Sequence, residues 1–421
     1  LKFIKMKTKQ FPIWIAAIGL VASMASCSKK ENTDIIKPVI PPSHPIKSGN
    51  ISGFVKGTLL TGSTYTVTAD IYVNKGDTLL AQPGAIIVVK NNSQFLIQGV
   101  FQSLGTQANP VSFNSASNTP GTWGGFACDS AQAVTIKWTK ILNTGGPDNT
   151  GSARRTLVVD RPIKVDIEDS WVENGQDDGL GLFGGAEITI LRNTIQSGGS
   201  TDGEAINIKT GSMGVVAYNL IFSQAGTGVK LETDAVVTTA LTKVDVFNNT
   251  MVACGWRRGA AEPGRGVSAG VSATGNVYNN VIVNCYHGIE IFTDDGANNI
   301  KYNNNLFYST VLTFVDKTVT PNLTITLRDQ YYPAGALGVP QSNDVISTAV
   351  GNADPKFVSF DGSFLVPNGA ANNNDFHLQT GSAAIGKGNT SFVLDNPSLA
   401  GGAAPDVDLG AYPTDGKGNK H

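Results

Sequence analysis

From about residue 51 the chain alternates short runs rich in Val, Ile and Thr with clusters of Gly, Asn and Asp. Within the runs apolar residues tend to recur at every second position, the period of a strand, and no stretch shows the 3.6-residue period of a long amphipathic helix. The runs also resemble one another. "NNTMVAC" at 248–254 returns as "NNVIVNC" at 279–285, and aligning on this motif gives seven segments: "IKWTKI", "IEDSWV", "ILRNTI", "VAYNLI", "VFNNTM", "VYNNVI" and "YNNNLF". Their fourth residues, Thr139, Ser170, Asn193, Asn219, Asn249, Asn280 and Asn305, lie 23 to 31 residues apart. That spacing is too long for a helical heptad and too short for a second domain, and it predicts a solenoid.

A stacked solenoid needs one apolar residue per coil at fixed positions. Two residues after the anchor stand Ile141, Val172, Ile195, Ile221, Met251, Ile282 and Phe307; three before it stand Ile136, Ile167, Ile190, Val216, Val246, Val277 and Tyr302. The anchor is small and polar, Asn in five of seven coils. Asn tolerates the left-handed conformation and its side chain can bond the next coil's backbone, so an Asn ladder at a tight bend between parallel strands is expected. Irregular coil length excludes hexapeptide and leucine-rich solenoids. What remains is an all-β chain, a right-handed parallel β-helix of about ten coils.

At this point the chain resembles the pectate-lyase-like superfamily. The resemblance rests on these repeats, on the opening "GDTLLAQPGAIIVVKNNSQFLIQGVFQSLGTQANPVSF" with "TWGGF", and on the closing "DPKF…DFHLQTGSAAIGKG…DVDLGAYP". The expected organisation is a signal over 1–27, a tether over 28–50, the β-helix over 51–335 and an irregular C-terminal capping segment over 336–421. Cys254 and Cys285 fall in one column of consecutive coils. Two parallel side chains on strands about 4.8 Å apart are poorly placed for a disulfide, so stacked free thiols are expected.

The N-terminal region changes the picture of where the domain works. Lys2, Lys5, Lys7 and Lys9 precede the apolar run "FPIWIAAIGLVAS", too short for a comfortable membrane span, and the run closes on "MASC". This resembles a bacterial lipobox, which implies that Cys27 is lipidated; "SKKE" after it resembles the surface-export signal of Bacteroidetes-like lipoproteins. The polar, Pro-rich stretch behind it cannot bury a core and reads as a tether. The expected location is the outer membrane or cell surface, with a periplasm-facing placement as the alternative and membrane contact through the lipid anchor only. Without residues 1–27, which hold four lysines and no acid, the chain has 27 basic and 33 acidic residues, a formal charge of −6. That argues against nucleic acid or anionic lipid as the partner; the expected partner of what should be a monomer is a polysaccharide or cell-surface glycan.

Each anchor is followed by a loop and a second alternating strand: "GLGLF", "AINIK", "GVKLE" and "GIEIF". Ile206, Ile208, Val229, Leu231, Ile289 and Ile291 should point inward. Two outward ladders follow: Asn207, Lys230 and Glu290 in one, Phe183, Lys209, Glu232 and Phe292 in the other. The coil beginning at Asn249 belongs between them, its register blurred by the insertion "GWRRGAAEPGRG" at 255–266. The preceding loops carry Asp177 and Asp178, Asp202 and Glu204, Trp256, Arg257 and Arg258, then Tyr286 and His287, which should form one strip about four coils long.

Carboxylates, cations and aromatics together suit an extended glycan: rings stack on sugar faces and charged groups bond hydroxyls or carboxylates. Asp177, Asp178, Asp202 and Glu204 are candidate Ca²⁺ ligands. Trp256, Arg258, Lys230, Tyr286 and Glu290 are candidate substrate contacts. Lys209 is the candidate base of an elimination, with Arg257 or His287 as charge stabiliser. "GEAINIKTGSMGVVAYNLIFS" is similar to the catalytic region of alginate- and chondroitin-lyase β-helices, which implies calcium at Glu204 and the base at Lys209; the arginine that follows in that family is Glu232 here. Three readings stay open: a glycan-binding or glycan-processing lipoprotein, a polysaccharide lyase or glycoside hydrolase, and a structural or adhesive surface protein. Lys209 opposite Glu232 also reads as a plain cross-strand ion pair, and Trp256 as part of a loop folded over an apolar patch.

Overall fold

A computed structural model describes residues 44–198, 203–233, 240–260, 262–293, 299–317, 320–363 and 373–421. Its strands are short and almost all parallel, and they stack into three ladders that form a parallel β-helix. Ladder A is the ten-stranded sheet that runs from Gly57–Leu59 to Ile300–Asn303. Ladder B follows each anchor, from Thr139–Leu142 through Trp171–Glu173, Thr194–Gln196 and Leu220–Phe222 to Leu306–Tyr308. Ladder C contains Leu157–Asp160, Leu180–Phe183, Ile206–Ile208, Val229–Glu232, Arg265–Gly270 and His287–Ile291.

The two apolar columns line the interior. Ile141, Val172, Ile195, Ile221, Met251, Ile282 and Phe307 are buried in one continuous core with Ile136, Ile167, Ile190, Val216, Val246 and Val277; Tyr302 packs against it half-buried. The first coils are filled by rings instead, with Phe101 and Phe126 stacked at 4.9 Å beside Phe95, Phe113 and Trp123.

The corner between ladders A and B is an asparagine ladder. Each anchor's main-chain N–H donates to the next coil's side-chain oxygen: Ser170 to Asn193 at 3.0 Å, Asn193 to Asn219 at 2.9 Å, Asn219 to Asn249, Asn249 to Asn280 and Asn280 to Asn305 each at 3.0 Å. Each Asn Nδ2 donates back to a carbonyl of the preceding coil, as Asn249 does to Val216 O at 3.0 Å. Asp344 Oδ1 closes the row by accepting from Asn305 N. The left-handed residue is not the anchor, as the sequence suggested, but the one before it: Trp138, Asp169, Arg192, Tyr218, Asn248, Asn279 and Asn304 all have φ between 47° and 59°. Bulky residues are tolerated there because the corner is over-determined by the buried amides on either side.

Cys254 and Cys285 are buried free thiols in adjacent coils, with Cys254 N donating to Cys285 Sγ at 3.4 Å.

The segment after the last anchor does more than close the stack. Residues 331–346 cover its end: Ile289 N donates to Tyr331 O, Leu337 N to Ile291 O and Val345 N to Asn305 O. The remainder then runs back along the outside of ladders A and B as a strap. Asp245, fully buried, accepts from Asp395 N and Asn396 N; Tyr218 Oη donates to Ala404 O; Ala411 N donates to Thr250 Oγ1; and Asn419 Nδ2 donates to Asn193 O. The physical reason lies in the outward positions. Leu220, Phe222, Val252, Val281 and Val283 on ladder B, and Val215 and Phe247 on ladder A, face outward and are apolar, and the strap supplies Phe376, Leu409, Tyr412, Phe392 and Leu394 to cover them. Among the described residues no strap hydrogen bond reaches ladder C.

Asn249→Ala should expose the ladder's dependence on each rung. It removes the acceptor of Asn219 N and a donor to Val216 O, each buried group costing about 1–3 kcal/mol. The expected loss, measured by urea unfolding against an exposed Asn118→Ala control, is about 3 kcal/mol or more; equal midpoints for both variants would contradict it.

Candidate functional site

Ladder C is where the charged residues gather. Its inward residues Ile206, Ile208, Val229, Leu231, Ile289 and Ile291 are all buried in the core, so the residues between them face out. The register runs Gly181, Asn207, Lys230, Ser268, Glu290 along one outward column. In the next, Glu232 lies opposite Gly270. The inserted coil therefore contributes Ser268 and Gly270, two small residues that leave Lys230 and Glu232 room.

At the entrance to the ladder a second row forms, because each coil reaches its strand through an equivalent bend. Asp178 and Glu204 sit two residues before the paired Leu180 and Ile206, and they meet. Asp178 is 2 % exposed and Glu204 8 %. Asp178 Oδ1 accepts from Glu204 N at 2.8 Å; its Oδ2 accepts from Arg155 Nε at 2.8 Å and from Asn207 Nδ2 at 3.0 Å. On the far side, Glu204 Oε1 accepts from Arg258 Nη1 at 3.1 Å and lies 3.7 Å from Lys230 Nζ.

Burial and the neighbouring Asp178 charge raise the Glu204 pKa to about 7, against the pull of Lys230 and Arg258. Burial acts on Asp178 in the same sense, but hydrogen bonds from Glu204, Arg155 and Asn207 outweigh it and hold Asp178 below the usual aspartate range. Below about pH 7 the pair thus shares one proton between two carboxyl groups, with Glu204 as the protonated partner.

The rest of the strip is paired internally. Lys230 Nζ lies 3.2 Å from Glu232 Oε1, and Lys209 Nζ 2.5 Å from Glu232 Oε2. Burial works against the Lys230 charge, but Glu204 and Glu232 outweigh it and raise its pKa. Arg258 also pairs with Glu262, and Arg265 with Glu290 while lying over the Phe292 ring at 5.2 Å. Beside the pair, Asp177 and Arg155 line a cleft of about 200 Å³ with Arg154, Asp148 and Gln94.

Several sequence expectations need correcting. Trp256 is 7 % exposed: it packs on Phe314 and Tyr286 with ring centroids 4.0 and 4.9 Å away, and its Nε1 donates to Asn284 O. The inserted loop folds back over an apolar patch, so neither Trp256 nor buried Tyr286 presents a face to a sugar. Arg257 turns away from the strip and donates to Ser223 Oγ, Ser223 O and Ser197 O, where burial lowers its pKa to about 10. His287 stands beside Arg265, three coil steps from Glu204 or roughly 14 Å along the axis. It is not grouped with Lys209, and burial together with Arg265 lowers its pKa to about 4.

Asp202 lies outside the described residues, as does Cys27. Among the described residues no three His, Cys, Asp or Glu side chains are placed to hold a metal ion. Both Asp178 oxygens are already engaged by Arg155, Asn207 and Glu204, which leaves a poor cation ligand. The sequence reading missed Arg155. Its signal was available: "RRTLVVD" enters a ladder-C strand just as the later coils do.

A family model described as a right handed beta helix region matches residues 124–307, a span that holds all seven anchors and the whole strip. No curated protein and no solved structure matches the chain.

The raised Glu204 pKa has a stability signature. A carboxyl group that binds its proton more tightly when folded contributes fully below its ordinary pKa, near 4.5, and that contribution is lost as pH rises through about 7. Glu204→Gln, which keeps the neutral form at every pH, should gain stability relative to wild type across that window in parallel chemical denaturation series. A constant difference between the two from pH 4.5 to 7.5 would mean that Glu204 ionises normally.

Proposed function

We propose that this right-handed parallel β-helix binds a polysaccharide on the outer face of ladder C, and that the Asp178–Glu204 pair is the proton-carrying group there. The observation that carries the reading is the split within the pair: one carboxyl held as an anion and its neighbour raised to about pH 7, with a cleft next to it that Asp177 and Arg155 line. Titratable neighbours driven apart in this way are what acid–base chemistry requires. Ladder C is also the face that the strap does not bind.

The same geometry favours proton donation over elimination. A base that removes a proton next to a uronate must be free to take it, but Lys209 Nζ is held by Glu232, and Glu204 and Glu232 raise the pKa of Lys230 between them. Their charges are already neutralised within the strip, so it offers little to a uronate carboxylate. A glycosidic oxygen needs a donor, and Glu204 is a neutral acid in part at pH 7. Glu232, across Lys230 from Glu204, is the second carboxylate. A second reading, glycan binding without turnover, is favoured by the burial of both members of the pair.

The chain without residues 1–27, screened against neutral and acidic polysaccharides with and without Ca²⁺, separates these. Hydrolysis predicts new reducing ends without absorbance in the unsaturated-uronate band, and a fall of about 100-fold or more with Glu204→Gln. Rising absorbance that Lys209→Ala abolishes would overturn this in favour of elimination. Retention on a glycan column with no product, unchanged by Glu204→Gln, would leave binding alone.

The proposal includes a place at the cell envelope, with Cys27 lipidated and residues 28–50 as the tether. In a bacterium that processes lipoproteins, labelled palmitate should enter the full chain and not Cys27→Ala; an unlabelled, freely secreted chain would contradict the anchor.

A further inference from the structure

Another concavity lies on a different face. Between ladder B and the strap is a cleft of about 480 Å³, within the range of small-molecule sites. Its floor is two outward columns of ladder B, Trp171–Thr194–Leu220 and Glu173–Gln196. Its wall is the strap strand Asp375–Leu378 with Tyr412 and His421. Phe376 anchors that strand against Phe222, ring centroids 5.4 Å apart, so the wall is fixed.

Two acceptors in the cleft lack donors among the described residues, the Gln196 amide oxygen and the Glu173 carboxyl. Gln196 is 3 % exposed and its Oε1 has no hydrogen-bond partner among the described residues. Such a buried acceptor is ordinarily satisfied. The half-buried Glu173 carboxyl forms no hydrogen bond or ion pair among the described residues, and burial pushes its pKa up against the pull of Lys140. Asp375 adds a third acceptor, bonded to His377 Nδ1 at 2.7 Å. Leu220 gives an apolar floor, and the Trp171 ring, stacked on His421 at 3.7 Å, forms one end.

We propose that this cleft is a second ligand site, which takes an uncharged saccharide unit through its hydroxyl donors. Hydroxyl hydrogens supply what Gln196 Oε1 and Glu173 lack, and the C–H face of a pyranose fits against Leu220. Two carboxyl groups in the cleft disfavour a uronate. The site stands apart from ladder C and does not depend on the reading of that face.

The test uses the chain without residues 1–27 and saturation-transfer NMR or calorimetry. The probes are glucose, galactose, mannose, N-acetylglucosamine and their β1,4-linked disaccharides, with glucuronate as the charged counterpart. At least one neutral probe should bind at concentrations of ~10 mM or below, glucuronate at least about tenfold more weakly, and Gln196→Ala or Glu173→Gln should each weaken binding by about tenfold. The Glu173→Gln change keeps the side chain's shape, and unchanged thermal melting of each variant shows that the fold is intact. No neutral binding by the folded protein, equal binding of glucuronate, or neutral binding that both variants leave untouched, which would belong to another face, overturns the proposal.

Discussion

Everything else in this fold rests on the buried asparagine corner. Turning a strand sharply inside a solenoid strips backbone groups of their ladder partners where water cannot replace them. A carboxamide answers both needs, since its oxygen accepts from the coil before and its nitrogen donates back to a carbonyl. Each rung therefore satisfies a neighbour's groups as well as its own. Coil length varies between anchors, but the corner returns every coil to the same register, and that register aligns side chains on the outside.

Alignment has opposite consequences on different faces. On ladders A and B the outward columns are largely apolar, and the chain spends its last stretch covering them, tied down through Asp245, Asn248 and Thr250. On ladder C the outward columns carry Asn, Lys, Ser and Glu, which need no cover. Stacked at coil spacing, like charges would repel; each cation here is instead paired with an acid, Arg155 with Asp178, Arg258 and Lys230 with Glu204, and Lys230 and Lys209 with Glu232. Where Glu204 meets Asp178 two acids stand side by side, and a shared proton resolves the conflict.

Much of this was legible in the sequence because it repeats. The apolar columns, the Asn row, the inward residues of ladder C and the Lys209–Glu232 pairing are local or coil-to-coil relations, which periodicity reports directly. Trp256 was harder to place, since whether an inserted loop stands out or folds back depends on Phe314, 58 positions along the chain. The strap was illegible for the same reason: "SFVLDNPSLAGGAAPDVDLGAYP" has no repeat, and its partners lie some 150 residues earlier. The ladder-B cleft inherits that blindness. Trp171 is an outward aromatic in an anchor motif, but only the strap makes a wall opposite it.

Fold and proposed function meet in the Asp178–Glu204 pair, which exists because the corner holds two successive coils in register and because Arg155, Asn207, Arg258 and Lys230 surround it unequally. The most direct measurement is a carbon-detected NMR titration of the two side-chain carboxyl groups. The account predicts that Glu204 loses its proton near pH 7 while Asp178 stays ionised to below 3.8. Both carbons titrating together at about pH 4, as free carboxylates do, would contradict it.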